Sequence, residues 1–385
     1  MNANPYSYSP QQQTEECVRD CSNPFGNSTE FQDYSPDYRS IVPQTAMKNC
    51  ELPETPATAE KRKIKHYYNM TGLFMTGQIL IVNILAFIIS MAVSATIAAI
   101  DGSAALNDGY YDIIMQKFSN SSINMALNGI CYMTANILVF MIGCKATGID
   151  RSSFFKTRDI DAKTMMRYVV IAIFLQMASA MLSNAVVSPL LDNIFGVDIY
   201  ASLEDSPVTS SVTKTIVTVL YTCIIAPVTE ELVLRGFVLK NLSRVSQRFG
   251  IITSALIFAL MHENIPQFIL AFTVGIFLGY VAVKHNSIIP AIILHMTVNT
   301  TNTVISLIAE MNEDIGNIIY TVWVLFFLIF GAVIFIISII KNKDKFPKPV
   351  QAQKNRCVPL MFQSVGMDIL ILTHIVLTFT YLIMQ

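Results

Sequence analysis

Apolar stretches recur along this chain, each of about 20 residues, the length a helix needs to cross the hydrocarbon core of a bilayer. One of them is interrupted in an informative way. No charged residue lies between Thr215 and Thr229; then Glu230-Glu231-Leu232-Val233-Leu234-Arg235 places two carboxylates and a guanidinium side by side. An ionisable side chain at the bilayer centre costs about 2.5–3.5 kcal/mol or more, so such residues are functional candidates by default. Two more polar groups sit in similar settings. His262 follows the apolar run 251–261, and His295 with Asn299 lies inside 288–308.

Composition agrees. Charged residues make up 14% of the 385, where soluble proteins have about 25%, and apolar residues make up 53%. The expected fold is all-α: a polytopic transmembrane helical bundle of about nine spans, whose surroundings are membrane lipid. Spans are expected near 72–100, 122–144, 166–190, 213–234, 288–309, 318–340 and 361–383. The stretch 251–283 has a polar break at His262-Glu263-Asn264-Ile265-Pro266 and reads as two shorter helices, 251–262 and 266–283. Residues 1–60 are polar and read as a disordered tail. Residues 61–164 are then expected to form N-terminal transmembrane helices, 165–310 a membrane core, and 311–385 C-terminal transmembrane helices. No signal peptide is expected, because the first apolar run starts near Gly72 and is too long for one. Cys131, Cys144 and Cys223 lie in apolar segments and read as small core residues. Cys17 and Cys21 have no second Cys or His pair at zinc-site spacing.

Loop charges alternate. Lys61, Arg62, Lys63 and Lys65 precede the first span, and the next loop carries Asp101, Asp108 and Asp112 against Lys117. The loop 145–167 is basic (Lys145, Arg151, Lys156, Arg158, Lys163, Arg167), and 191–212 is acidic. Lys240, Arg244, Arg248 and Lys284 are basic again, Glu310, Glu313 and Asp314 acidic, and Lys341 to Lys348 basic. By the positive-inside rule the N-terminus is cytoplasmic, in a multi-pass protein of the cell membrane. The net charge of −1 gives no reason to expect nucleic acid among the partners.

Depth follows from the helical rise of about 1.5 Å per residue. Glu230 lies roughly 15 Å from Lys240, His262 roughly 18 Å from Gly250, and His295 roughly 16 Å from Lys284. Three polar groups on three helices thus reach one level near mid-membrane, which suggests one site. Glu231 and Arg235, at i,i+4, share a helix face and can pair. Glu230 points about 100° away and stays free to act on water. A carboxylate withdrawn from bulk solvent suits a general base near neutral pH. His295 and Asn299, also i,i+4, can present a ring nitrogen and an amide to a developing oxyanion. Alternatively, His262, His295 and Glu230 can hold a Zn²⁺ with a fourth position open for water. Any one of these residues could be interhelical glue, as His374 in the last span is expected to be. His285 reads as a solvated turn residue. Pro227 is expected to bend its helix and free backbone carbonyls near the site. Gly275 and Gly279 read as a helix-packing face. His262-Glu263 is no zincin motif, because Pro266 stands where His is required.

In their order on successive helices, Glu-Glu-x-x-x-Arg (230–235), Phe-x-x-x-His (258–262) and His-x-x-x-Asn (295–299) resemble the CPBP family. This is the family of CAAX-type prenyl-protein proteases and bacteriocin-processing enzymes, also called Abi, and the resemblance covers roughly 165–310. It implies an all-helical intramembrane endopeptidase, usually described as a metalloprotease, acting on a peptide or lipidated-protein substrate from a site open to the cytoplasm. By position, Glu230 resembles the water-activating glutamate and His262 its partner or a metal ligand. His295 and Asn299 resemble the oxyanion pair or a further ligand set. A catalytically silent scaffold or bacteriocin self-immunity factor of the same fold is the alternative, and a proton-coupled transporter using Glu230 and His262 as a relay is another. The transporter reading would gain from an inverted repeat, and none is visible.

Charge alternation makes one direct prediction. A cysteine placed at Ser153 should resist membrane-impermeant maleimide in intact cells and react after lysis. Rapid labelling of intact cells would contradict the cytoplasmic placement of 145–167.

Overall fold

The computed structural model describes residues 56–101, 108–155, 160–196, 211–341 and 357–383. The polar tail up to residue 55, with Cys17 and Cys21, lies outside them, as do residues 197–210 of the acidic loop 191–212 and the basic segment 342–356. The described residues form helices and no strands. In chain order these are α1 (Pro56–Asp101), α2 (Asp108–Ser119), α3 (Ser122–Ala146), α4 (Ala162–Ile194), α5 (Val212–Leu242) and α6 (Gln247–Leu260). They continue with α7 (Ile265–His285), α8 (Ile289–Met311), α9 (Glu313–Lys341), the short α10 (Cys357–Met361) and α11 (Val365–Ile383). Seven of them are long and apolar enough to cross a membrane, and α6 and α11 are shorter apolar helices. These nine occupy the nine expected positions.

The bundle turns apolar side chains outward, as lipid requires, around a mostly apolar core that also holds buried polar groups. Phe87, Leu80 and Ile88 of α1 are 66%, 58% and 56% exposed, while Gln78 of the same helix is buried. In hydrocarbon every backbone polar group must be satisfied within the protein, and helices do this internally. At 46 residues α1 measures about 69 Å, far beyond a core of about 30 Å, so its basic first turns extend past the membrane.

The hairpin α6–α7 positions the site. With 14 residues α6 reaches only about 21 Å, so the chain turns back before a full crossing. Glu263 makes the turn possible by adopting φ 57°, a left-handed conformation uncommon for a side-chain-bearing residue. Asn264 then caps α7, its side chain accepting from the Gln267 N–H at 3.0 Å, and Pro266 follows in the first turn. The two arms pack closely because Gly275 and Gly279 lack side chains. A Cβ on Gly275 would lie 3.2 Å from Ala255 and Phe258, and one on Gly279 3.3 Å from Ile251. The expected helix-packing face is therefore real.

The last helix also reaches this hairpin. α11 crosses α1 where Gly72 and Gly366 meet backbone to backbone, and Gly366 N donates to Asn69 Oδ1 at 2.9 Å. Farther along α11, buried His374 places Nδ1 3.6 Å from Glu263 Oε1. Among the described residues neither ring nitrogen of His374 makes a hydrogen bond, so the contact with the turn is a proximity rather than the expected interhelical bond. His285 is less solvated than expected, since its Nε2 lies 3.0 Å from the Tyr168 hydroxyl.

Candidate active site

Pro227 organises the central helix. α5 contains two π-helical turns, Tyr221–Ile225 and Leu232–Val238, on either side of the α-turn Ala226–Glu231. In the first, the Ala226 N–H donates to the Tyr221 carbonyl five residues back. In that register the next carbonyl, Thr222, would look to residue 227, and proline has no N–H. Asn299 on α8 supplies the missing donor, its Nδ2 lying 2.9 Å from the Thr222 carbonyl. Proline does free a carbonyl near the site, and a motif residue satisfies it. The opposite side of the same turn is anchored by a buried chain of amides: Gln78 Nε2 donates to Asn136 Oδ1 (2.9 Å), and Asn136 Nδ2 donates to Thr229 Oγ1 (3.2 Å). α1 and α3 thereby fix the residue next to Glu230.

The two glutamates occupy different environments. Glu231 has 0% side-chain exposure, and Glu230 has 22%. Oε1 of Glu231 accepts from Arg235 at 2.8 Å and from His295 Nδ1 at 2.9 Å. Arg235, also fully buried, donates a second bond to the Gly275 carbonyl at 3.0 Å and lies 5.1 Å over the Phe258 ring. The i,i+4 pair is present as read, and it holds His295 as well. Glu230 Oε2 is 3.7 Å from Nε2 of that ring, so consecutive glutamates bracket one imidazole.

His262 is held differently. Its Nδ1 donates to the Phe258 carbonyl at 2.9 Å, one turn back on α6. The Phe258 ring meets both imidazoles edge-on, with centroids 5.0 Å from His262 and 5.4 Å from His295. A carbonyl or carboxylate can only accept, so each Nδ1 carries a proton, and in the neutral form of either ring the Nε2 lone pair is free. Glu230, His262, His295 and Asn299 line one cavity of about 260 Å³ between α5, α6, α7 and α8. Glu231 and Arg235 stand behind it.

Free Nε2 atoms on histidines whose Nδ1 is engaged are the donors a catalytic zinc ion takes, with Glu230 as a third. Among the described residues no three His, Cys, Asp or Glu side chains gather into a metal-holding group.

Several residues of the site escaped sequence reasoning. Thr222, Asn302 and Thr303 line the cavity, and Gln176 on α4 donates to Asn302 Oδ1 at 2.9 Å. Helical spacing carries the signal for two of them, because 295, 299, 302 and 303 fall on one face. Gln176 and the Gln78–Asn136–Thr229 chain depend on which helices become neighbours.

Residues 212–301 match the model of a family described as Type II CAAX prenyl endopeptidase Rce1-like. The match takes in all three motifs, from Glu230 to Asn299, and bears out the resemblance to the CAAX-type prenyl-protein proteases. Comparison with curated proteins and with solved structures found no match.

The site predicts opposite outcomes for two substitutions. Arg235→Ala strips a fully buried carboxylate of its partner and should cost about 3–5 kcal/mol, seen as a lower melting temperature in detergent. Glu230→Gln leaves the Glu231–Arg235–His295 group intact and should melt like wild type. An unchanged melt for Arg235→Ala would contradict the pairing.

Proposed function

We propose that this chain is an intramembrane endopeptidase of the CAAX type, hydrolysing a peptide bond of a membrane-associated or lipidated protein. The observation that carries the reading is the pair of environments given to consecutive glutamates, Glu231 sealed behind His295 and Glu230 facing the cavity. A water beside Glu230 can direct one hydrogen to that carboxylate and the other to an Nε2 lone pair of His295 or His262. Its own lone pair is then left for the scissile carbonyl. As the water attacks, Glu230 takes the proton and the carbonyl oxygen gains negative charge. Asn299 keeps one N–H beyond its bond to Thr222 and can donate to that oxyanion. In the neutral tautomer His295 offers the cavity an acceptor, which suits it to the water better than to the oxyanion. Collapse of the tetrahedral intermediate breaks the C–N bond. The proton on Glu230 passes to the leaving amine, which regenerates the carboxylate. A Zn²⁺ at His262, His295 and Glu230 would instead supply a water acidified by the ion.

The test uses purified protein and a fluorescence-quenched C-terminal peptide bearing an isoprenyl thioether. Glu230→Gln should lower turnover by about 10²–10⁴-fold, the usual contribution of a positioned base. Turnover should persist after exhaustive chelation. Loss that Zn²⁺ alone restores would move His262 and His295 into a ligand shell, and full activity of Glu230→Gln would remove the proposed base.

A further inference from the structure

The cavity extends well beyond the reacting groups, and its two long walls differ. α8 presents His295, Asn299, Asn302 and Thr303 around Val298, while α7 opposite presents Leu270, Ala271 and Val274, with Gln267 in its first turn. A wall of neutral hydrogen-bonding groups in a membrane helix demands an explanation, because such groups gain nothing from lipid. Their amides are also oriented. Asn299 Nδ2 gives one N–H to the Thr222 carbonyl, which leaves Oδ1 as an acceptor beside the remaining N–H. Asn302 Oδ1 is taken by Gln176 Nε2 at 2.9 Å, which leaves Nδ2 as a donor. The same Gln176 nitrogen lies 3.3 Å from the Val298 carbonyl, and Gln176 is 2% exposed, so its direction is fixed by packing.

We propose that this face of α8 is a backbone-binding subsite that takes the substrate as an extended strand, with Gln176 as the positioning residue that sets the donor of Asn302. The proposal rests on the peptidase reading above. A peptide bond must leave helical structure before it can be cleaved, and each N–H and C=O so freed in a water-poor site needs a partner. Asn299 and Asn302 offer an acceptor and a donor about one turn apart, matching the alternating groups of an extended chain. From His295 to Thr303 the wall runs about 12 Å. At about 3.3 Å per residue this holds three or four residues. Side chains on the other edge of the strand meet the apolar α7 wall. Gln176 lies outside the matched segment 212–301, so this recognition is built partly from the chain's own α4.

Two measurements test it with the same isoprenylated peptide. In Glu230→Gln protein carrying Thr303→Cys, a peptide lying along α8 should slow the maleimide labelling that depends on this cysteine. Separately, Gln176→Met keeps the volume but removes the donor. It should raise KM about three- to tenfold, the worth of one misdirected hydrogen bond, with kcat within about twofold. Replacing single peptide carbonyls by thiocarbonyls, which are weaker acceptors, should raise KM for wild type at one position and not for Gln176→Met. Cleavage by wild type with no protection of the cysteine overturns the subsite and leaves the peptidase reading standing. Protection without cleavage supports the subsite and overturns the peptidase reading. Absence of both overturns both. A Gln176→Met protein with wild-type KM and wild-type thiocarbonyl sensitivity removes the positioning role.

Discussion

A single carboxylate oxygen, Glu231 Oε1, ties the site together. It accepts from Arg235 at 2.8 Å and from His295 at 2.9 Å, in a position with no solvent access. A buried charge is tolerable only when paired and hydrogen-bonded. Everything nearby serves that requirement or follows from it. Arg235 neutralises the carboxylate and reaches across to the Gly275 carbonyl, which locks α5 to α7. His295 locks α8 to α5 through the same oxygen. With three helices joined at one atom, the Nε2 of His295 and the Glu230 carboxylate are fixed toward each other on the cavity side. Glu230 can then be the exposed, proton-accepting member because its neighbour has taken the structural role.

Backbone irregularity has a comparable part. The two π turns of α5 rotate the segment carrying both glutamates out of the regular helical register. π turns of this kind are rare and cluster at functional sites. Here the first comes with Pro227, and the orphaned Thr222 carbonyl gives Asn299 its structural partner. The hairpin α6–α7 adds a second irregularity, the left-handed Glu263, which turns the chain immediately after His262. Both deviations are held by side chains from other helices, so the site depends on the assembled bundle rather than on any one motif.

Much of this was legible in the sequence because membrane helices leave a strong trace. Runs of about 20 apolar residues marked the helices and their order, though not that α6 and α11 are shorter than the rest. The i,i+4 spacing predicted the Glu231–Arg235 pair, and counting 1.5 Å per residue brought Glu230, His262 and His295 to one depth. Contacts that depend on helix rotation and neighbour identity were not legible. That Glu231, not Glu230, bonds His295 Nδ1 requires knowing how α8 faces α5. That Asn299 is held by a backbone carbonyl requires the π register, which Pro227 only hints at. Gln78, Asn136 and Gln176 sit in apolar spans far along the chain from the motifs, and only tertiary packing brings them to it.

The arrangement stands or falls on the proton of one ring. ¹⁵N NMR of histidine-labelled protein reads the state of each imidazole nitrogen directly, with His295→Gln giving the assignment. The account predicts that His295 carries its proton on Nδ1, hydrogen-bonded to Glu231, and that Glu231→Gln releases this preference while the His262 signals stay in place. A wild-type His295 whose Nδ1 is unprotonated, or whose signals are unmoved by Glu231→Gln, would contradict it.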